Sequence, residues 1–159
     1  MSTTATYHTT VNWVAGHEGR IHMGNGPEMA FSAPPDAHGL PDVLTPEDAF
    51  VGAVNTCIMM MFLWACERFK IELLAYECRA EGTKLIELDR TETFTTVLLA
   101  PRIRVSSGNQ PHDAVRRRVE RALVGAEKYS LVANSVKSRV VIEPEIVIEP
   151  KIGAKTGEA

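Results

Sequence analysis

The chain has 159 residues, a net charge of −3 at pH 7 and 45% hydrophobic residues, which suits one domain with a sizeable core. So mild an acidity gives no reason to expect nucleic acid or an anionic membrane surface as a partner. Three cysteines, an odd number, argue against a secreted disulfide framework and for a reducing cytoplasm. There is no repeat or low-complexity tract, and the N-terminus lacks the basic flank and apolar run of a signal peptide.

The first segment reads as a half-buried strand. Tyr7, Val11, Trp13 and Ala15 share one face, with His8, Thr10 and Asn12 on the other. Gly16-His17-Glu18-Gly19 turns the chain and Arg20-Ile21-His22-Met23 returns, so an N-terminal β-hairpin unit occupies 5–31, with a short strand at 28–31. Glycine and proline then punctuate a loop over 32–45. A loop of that length in a compact domain is usually functional or wraps a partner.

A core helix is expected over 46–69. Thr45 suits the N-cap and Pro46 the first turn, while Glu47 and Asp48 complement the positive end of the helix dipole. The run is apolar nearly all round, so protein or lipid must surround it. Residues 49–66 reach the usual spanning length of about 18. Asn55 and Thr56 interrupt its centre, however, and no second span accompanies it. The better reading is a central helix wrapped by a sheet, at a subunit interface, with no membrane span.

Two long strands follow within 71–105. Leu74, Tyr76, Cys78 and Ala80 share a face of the first; Val97, Leu99, Ile103 and Val105 point inward from the second, with Pro101 marking an edge or a bulge. A helix over 111–128 carries Val115, Val119, Ala122, Leu123 and Ala126 in one stripe, flanked by a solvated run of Arg116, Arg117, Arg118 and Arg121. A C-terminal strand spans 139–149, with Val140, Ile142, Ile146 and Ile148 on one side and Pro144 as another edge or bulge signal. Segregated strands and two helices make an α+β domain.

Cys57, at mid-helix, is the chemical candidate. The thiolate is the nucleophile, a free cysteine is mostly protonated at neutral pH, and burial favours the neutral form, so reactivity needs a nearby cation. Cys66 lies about 13 Å further along the same helix, beyond disulfide reach. Cys66 and Cys78 therefore read as packing. His17, Glu18 and His22 could suggest a metal, but the two histidines project to opposite faces of an extended segment, so no metal is expected. Met59-Met60-Met61 reads as core filler or as a soft apolar pocket. Nothing resembles a phosphate-binding glycine loop, a dinucleotide fingerprint or a Ser-His-Asp arrangement, so no cofactor is expected either.

The element order, the Pro46-Glu47 helix start and a cysteine ten positions after that glutamate resemble the OsmC/Ohr family of thiol-dependent peroxidases. The resemblance covers nearly the whole chain, including Trp13, the hairpin turn and a late helix ending in Ala126-Glu127-Lys128. It implies an OsmC-like fold, with antiparallel sheets wrapped around long central helices in an intertwined homodimer. It also implies reduction of organic hydroperoxides by a thiolate that becomes a sulfenic acid and condenses with a second cysteine. By position Cys57 matches the attacking cysteine and Glu47 the glutamate that orients a hairpin arginine.

Two departures stand out. The second cysteine falls where this chain reads Tyr129-Ser130, and the family arginine aligns with His17, leaving Arg20 three residues later. Arg20 offers a permanent charge; His17 would be a weaker, pH-dependent partner. Glu47 and Cys57 lie roughly 15 Å apart along a straight helix, so joint service at one site requires a helix break or a site shared by two chains. Two functions follow from the resemblance. The first is a cytoplasmic homodimeric hydroperoxide reductase of oxidative-stress defence, using Cys57, Glu47 and Arg20 or His17 and resolved by an external thiol. The second is a non-catalytic dimer that binds an apolar small molecule in the interface cavity.

Overall fold

The computed structural model describes residues 1–151 and divides them into two units, Met1–Phe50 and the chain from Val51 onward. In the first unit β1 (Thr9–Ala15), β2 (Glu18–Met23) and β3 (Glu28–Ser32) form an antiparallel sheet in that order. Gly16, at φ +50°, makes the tight turn between β1 and β2, and the Trp13 indole N–H donates to the Gly16 carbonyl at 3.0 Å. A bulge between Trp13 and Ala15 shifts the register. Every residue of β1 is exposed, with Trp13 at 78% and Val11 at 59%, and Tyr7 precedes the strand. The half-buried reading is therefore corrected: the alternation is present, but that face stays exposed among the described residues.

The following loop is pinned rather than loose. The buried Ser32 hydroxyl donates to the Ala33 carbonyl at 2.7 Å and accepts from the Leu40 N–H at 2.8 Å. The Ser32 N–H reaches the Leu44 carbonyl at 2.9 Å, and the Ala33 N–H reaches the His17 carbonyl at 3.1 Å. Gly39 is required, because a Cβ there would lie 1.4 Å from the Ala33 carbonyl oxygen.

Helix α1 (Pro46–Arg68) begins as its sequence dictates, with Thr45 Oγ1 accepting from the Asp48 N–H at 3.1 Å. By length and composition it could cross a bilayer. In this fold one stripe at four-residue spacing, Val54, Ile58, Phe62 and Cys66, is buried. The Phe62 and Tyr76 rings sit 5.5 Å apart. Gly82, on the strand that follows, admits this close approach, because a Cβ would meet Val51 at 2.6 Å.

β4 (Glu72–Ile86) and β5 (Glu92–Ser106) pair antiparallel. A bulge at Leu73/Ala75 corrects the reading of β4: Leu73 rather than Leu74 joins Tyr76 on the core, and Leu74 is 38% exposed. The single C-terminal strand is also corrected. It is two strands, β6 (Arg139–Ile142) and β7 (Glu145–Glu149), both parallel to β5 in one continuous register. That register sets Pro144 opposite Pro101, so the two residues that cannot donate to a ladder share one gap. Pro101 thus lies in the central strand of the sheet rather than at an edge.

The expectation of antiparallel sheets therefore holds for the first sheet and for the β4–β5 pair. The second sheet is mixed, because α2 (His112–Tyr129) carries the chain back before β6 begins. The α+β class stands. The core joins Phe62 and Cys66 of α1, Ile103 and Val105 of β5, and the expected α2 stripe. The arginine run is not wholly solvated: Arg118 Nη1 donates to the Phe69 and Lys70 carbonyls just beyond α1, at 3.1 and 3.4 Å. That guanidinium satisfies carbonyls that a helix end leaves open.

Candidate functional site

Cys57 sits at the middle of α1, half-buried, one residue before the fully buried Ile58. Opposite it α2 ends at Tyr129, and Ser130 adopts an extended conformation that stops the helix. The short helix α3 (Leu131–Ser135) starts at once, with Ser130 as its N-cap accepting from the Ala133 N–H at 3.1 Å. This abrupt restart turns the Ser130 hydroxyl to within 3.1 Å of Cys57 Sγ. Ser130 is fully buried.

Apolar side chains flank the pair. Met60 and Trp64 follow Cys57 on α1, Tyr129 and Leu131 bracket Ser130, and all four are exposed. Met61, Trp64, Phe69, Gly125 and Tyr129 line a small cavity of about 140 Å³, with Arg68 completing the wall. Of the methionine triplet, Met59 is half-buried, Met60 is exposed and Met61 lines this cavity.

The other two thiols lie in different surroundings. Cys66 is buried, and burial, with the Glu67 charge adding to it, pushes its pKa up to about 11. Burial also raises that of Cys78. All three cysteines are free thiols.

The remaining sequence candidates lie in the first unit or at its end. Glu47 occupies the first turn of α1, and its buried Oε2 has no hydrogen-bond partner among the described residues. No cation stands within ion-pair distance of it there. Arg20, on β2, is engaged instead by the Glu28 carboxylate, whose second oxygen lies 3.2 Å from His22 Nδ1. The hydrogen bond from Arg20, helped by the charges of Arg20 and His22, holds Glu28 below the usual carboxylate range. His17, in the β1–β2 turn, stacks on His38 with ring centroids 5.9 Å apart.

One chain therefore brings neither Arg20 nor His17 to Glu47. The helix-break route is removed as well, since α1 runs unbroken through Glu47 and Cys57. With His22 paired to Glu28 and His17 stacked on His38, the His17, Glu18 and His22 set is dispersed. Among the described residues no group of three such side chains could hold a metal ion.

Sequence reasoning missed Ser130, treating its position only as a lost sulfur. The signal was available, because a position that hosts a resolving thiol must lie beside the attacking one. The first unit also holds an apolar cavity of about 430 Å³, lined by Val11, Ile21, Phe31, Leu44, Pro46 and Phe50 among others. That volume falls within the usual range for small-molecule pockets.

Comparison with known proteins places this geometry in a family. A solved OsmC-like protein of unknown function from Vibrio cholerae is 22% identical, with a TM-score of 0.80 over 89% of this chain and 100% of its own. An organic hydroperoxide resistance protein from Elizabethkingia anophelis is 16% identical, with a TM-score of 0.67 over 94% of this chain and 100% of its own. The organic hydroperoxide resistance protein OhrB of Bacillus subtilis is 14% identical, with a TM-score of 0.58 over 89% of this chain and 98% of its own. No curated protein sequence matches. The family described as OsmC-like protein matches residues 39–145, which contain Glu47, α1 with Cys57, both long strands and Ser130, and this chain belongs to that family.

Proposed function

We propose that this protein reduces organic, lipid-like hydroperoxides with Cys57, as a cytoplasmic homodimer in oxidative-stress defence. The observation that carries the reading is the half-buried Cys57 held with its sulfur against Ser130 amid exposed apolar side chains, in a chain of this family. The names of the hydroperoxide resistance proteins among its structural neighbours support it.

The chemistry balances with one external reductant. The Cys57 thiolate attacks the peroxide oxygen; an S–O bond forms and the O–O bond breaks. Sulfur gives up two electrons, and the alkoxide takes a proton and leaves as an alcohol. An external thiol then attacks the sulfenic acid, releasing water and forming a mixed disulfide. A second thiol cleaves that disulfide and returns the Cys57 thiolate.

Glu47 takes its part through a second copy. A buried carboxylate oxygen without a donor needs a partner, and the described residues of one chain supply none. Arg20 or His17 of the partner subunit is the natural source of that cation. The uncovered face of β1 and the exposed Met60 and Trp64 of α1 give a second copy the apolar surface it would bury.

Consumption of an organic hydroperoxide with a dithiol reductant tests the reading directly. Wild type is expected to turn over and Cys57→Ser to lose all turnover; an inert wild-type dimer, folded and with its thiols reduced, overturns it. That outcome favours the second reading, a non-catalytic dimer that binds an apolar small molecule. The serine in place of a second cysteine and the apolar cavity of the first unit support that alternative.

A further inference from the structure

We infer that the Ser130 hydroxyl is itself a catalytic group, donating a hydrogen bond to Cys57 Sγ and holding the sulfur as the attacking thiolate. The inference rests on the hydroperoxide reading and deepens it, by assigning a role to the residue that stands where a second thiol is expected.

A serine hydroxyl has one proton to give and two lone pairs to receive. The Ala133 N–H occupies one lone pair at 3.1 Å, so the proton is not needed there. Cys57 Sγ, also 3.1 Å away, is the acceptor it meets. Donation from the Ala133 N–H polarises the hydroxyl and strengthens its own donation to sulfur. Burial of Ser130 keeps water from competing for that proton.

The donor is also fixed in place. The Ser130 N–H bonds the Glu127 carbonyl at 3.4 Å, and the Ser130 carbonyl accepts from the Asn134 N–H at 3.0 Å. The neighbouring charges at the end of α2 do not take its part. Glu127 and Lys128 are exposed, and the Lys128 ammonium lies over the Tyr129 ring. Arrangement of a donor before the reaction is what makes such a hydrogen bond effective in catalysis.

Oxygen in place of sulfur also decides how the cycle ends. A hydroxyl cannot condense with a sulfenic acid to form a disulfide, so no group at this position captures the oxidised Cys57. The second half-reaction belongs to an external thiol, and Ser130 serves only the first.

Alkylation of Cys57 by iodoacetamide, followed by mass spectrometry across pH on the full chain, reads the hydrogen bond without any need for turnover. Ser130→Ala and Ser130→Gly are expected to move the midpoint of reactivity up by about one pH unit, as the loss of a bond to a charged group implies. Glycine keeps an acceptable N-cap for α3, so a folding defect is separable from the electronic effect. Ser130→Thr, which retains the hydroxyl, is expected to keep the wild-type midpoint.

An unmoved midpoint in folded Ser130→Gly overturns the inference, as does a folded Ser130→Thr that behaves like glycine. Ser130→Cys gives an independent check: hydroperoxide is expected to close a disulfide to Cys57, with loss of both thiols. If wild type turns over, retention of the introduced thiol would mean that the two side chains are not apposed. An inert wild type whose alkylation midpoint still depends on Ser130 would sink the hydroperoxide reading and leave the hydrogen bond established.

Discussion

The two sheets carry similar apolar alternation and meet opposite fates. On β5, Val97, Leu99, Ile103 and Val105 are all 0% exposed, whereas on β1 Val11 and Trp13 remain 59% and 78% exposed. At Ile103 and Val105 the β5 face is covered because the core gathers α1 and α2 side chains over it. The first unit offers its sheet no such layer. Its order comes from backbone pairing, from the Ser32 bonds that pin the loop, and from tight glycine positions. Alternation therefore reports a face made to be covered, and does not say by what.

The largest expected effect tests the covered side. Phe62→Ala removes a fully buried ring packed on Tyr76, and such deletions cost about 3–5 kcal/mol. A urea melt should show that loss, whereas Trp13→Ala should change protomer stability by less than about 1 kcal/mol. Equal costs would break the contrast between the two sheets. Val11→Lys sharpens it from the other side. If a second copy covers β1, a buried lysine there is expected to weaken the dimer at least about tenfold. Sedimentation would read this as monomer at concentrations where wild type is dimeric. An unchanged dimer would show that this face is not the one a second copy covers.

Much of the helical structure was legible because its signals are local. The Thr45 cap is observed, and the five α2 stripe residues are all buried, since a period of 3.6 residues leaves one choice of face. What escaped was non-local. A period of two says which side chains share a face and nothing about neighbours, so the parallel pairing of β6 and β7 with β5 could not be read. The Leu73 bulge moved Leu74 off the face that Tyr76, Cys78 and Ala80 share, because a single extra residue exchanges the two sides before it. Arg118 looked like part of a charge run until the carbonyls it caps were known.

The candidate site divides in the same way. Cys57 and Glu47 could be named from spacing on one helix, but Ser130 is 73 residues from Cys57 and reaches it only through the α2–α3 restart. Arg20 could not be assigned from sequence because its nearest carboxylate, Glu28, comes from the neighbouring strand.

The last effect appears only at high pH and concerns the buried thiol that makes the covered side pH-sensitive. The folded protein holds the Cys66 proton to about pH 11, against an ordinary value of 9.0, because burial disfavours the thiolate. The unfolded chain releases that proton at the lower value, so rising pH favours unfolding. This contribution to stability is fully present below pH 9.0 and is lost as pH rises through about 11. The loss is on the order of 2 kcal/mol when complete. Cys66→Val keeps an apolar group of similar size and removes the ionisation. Thermal melts should therefore show wild type losing more stability than Cys66→Val between pH 8.5 and 11, with the two curves parallel below that range. Parallel curves throughout would mean that Cys66 reaches water in the native state, and that the core around Phe62 is looser than the packing of α1 on β5 and α2 requires.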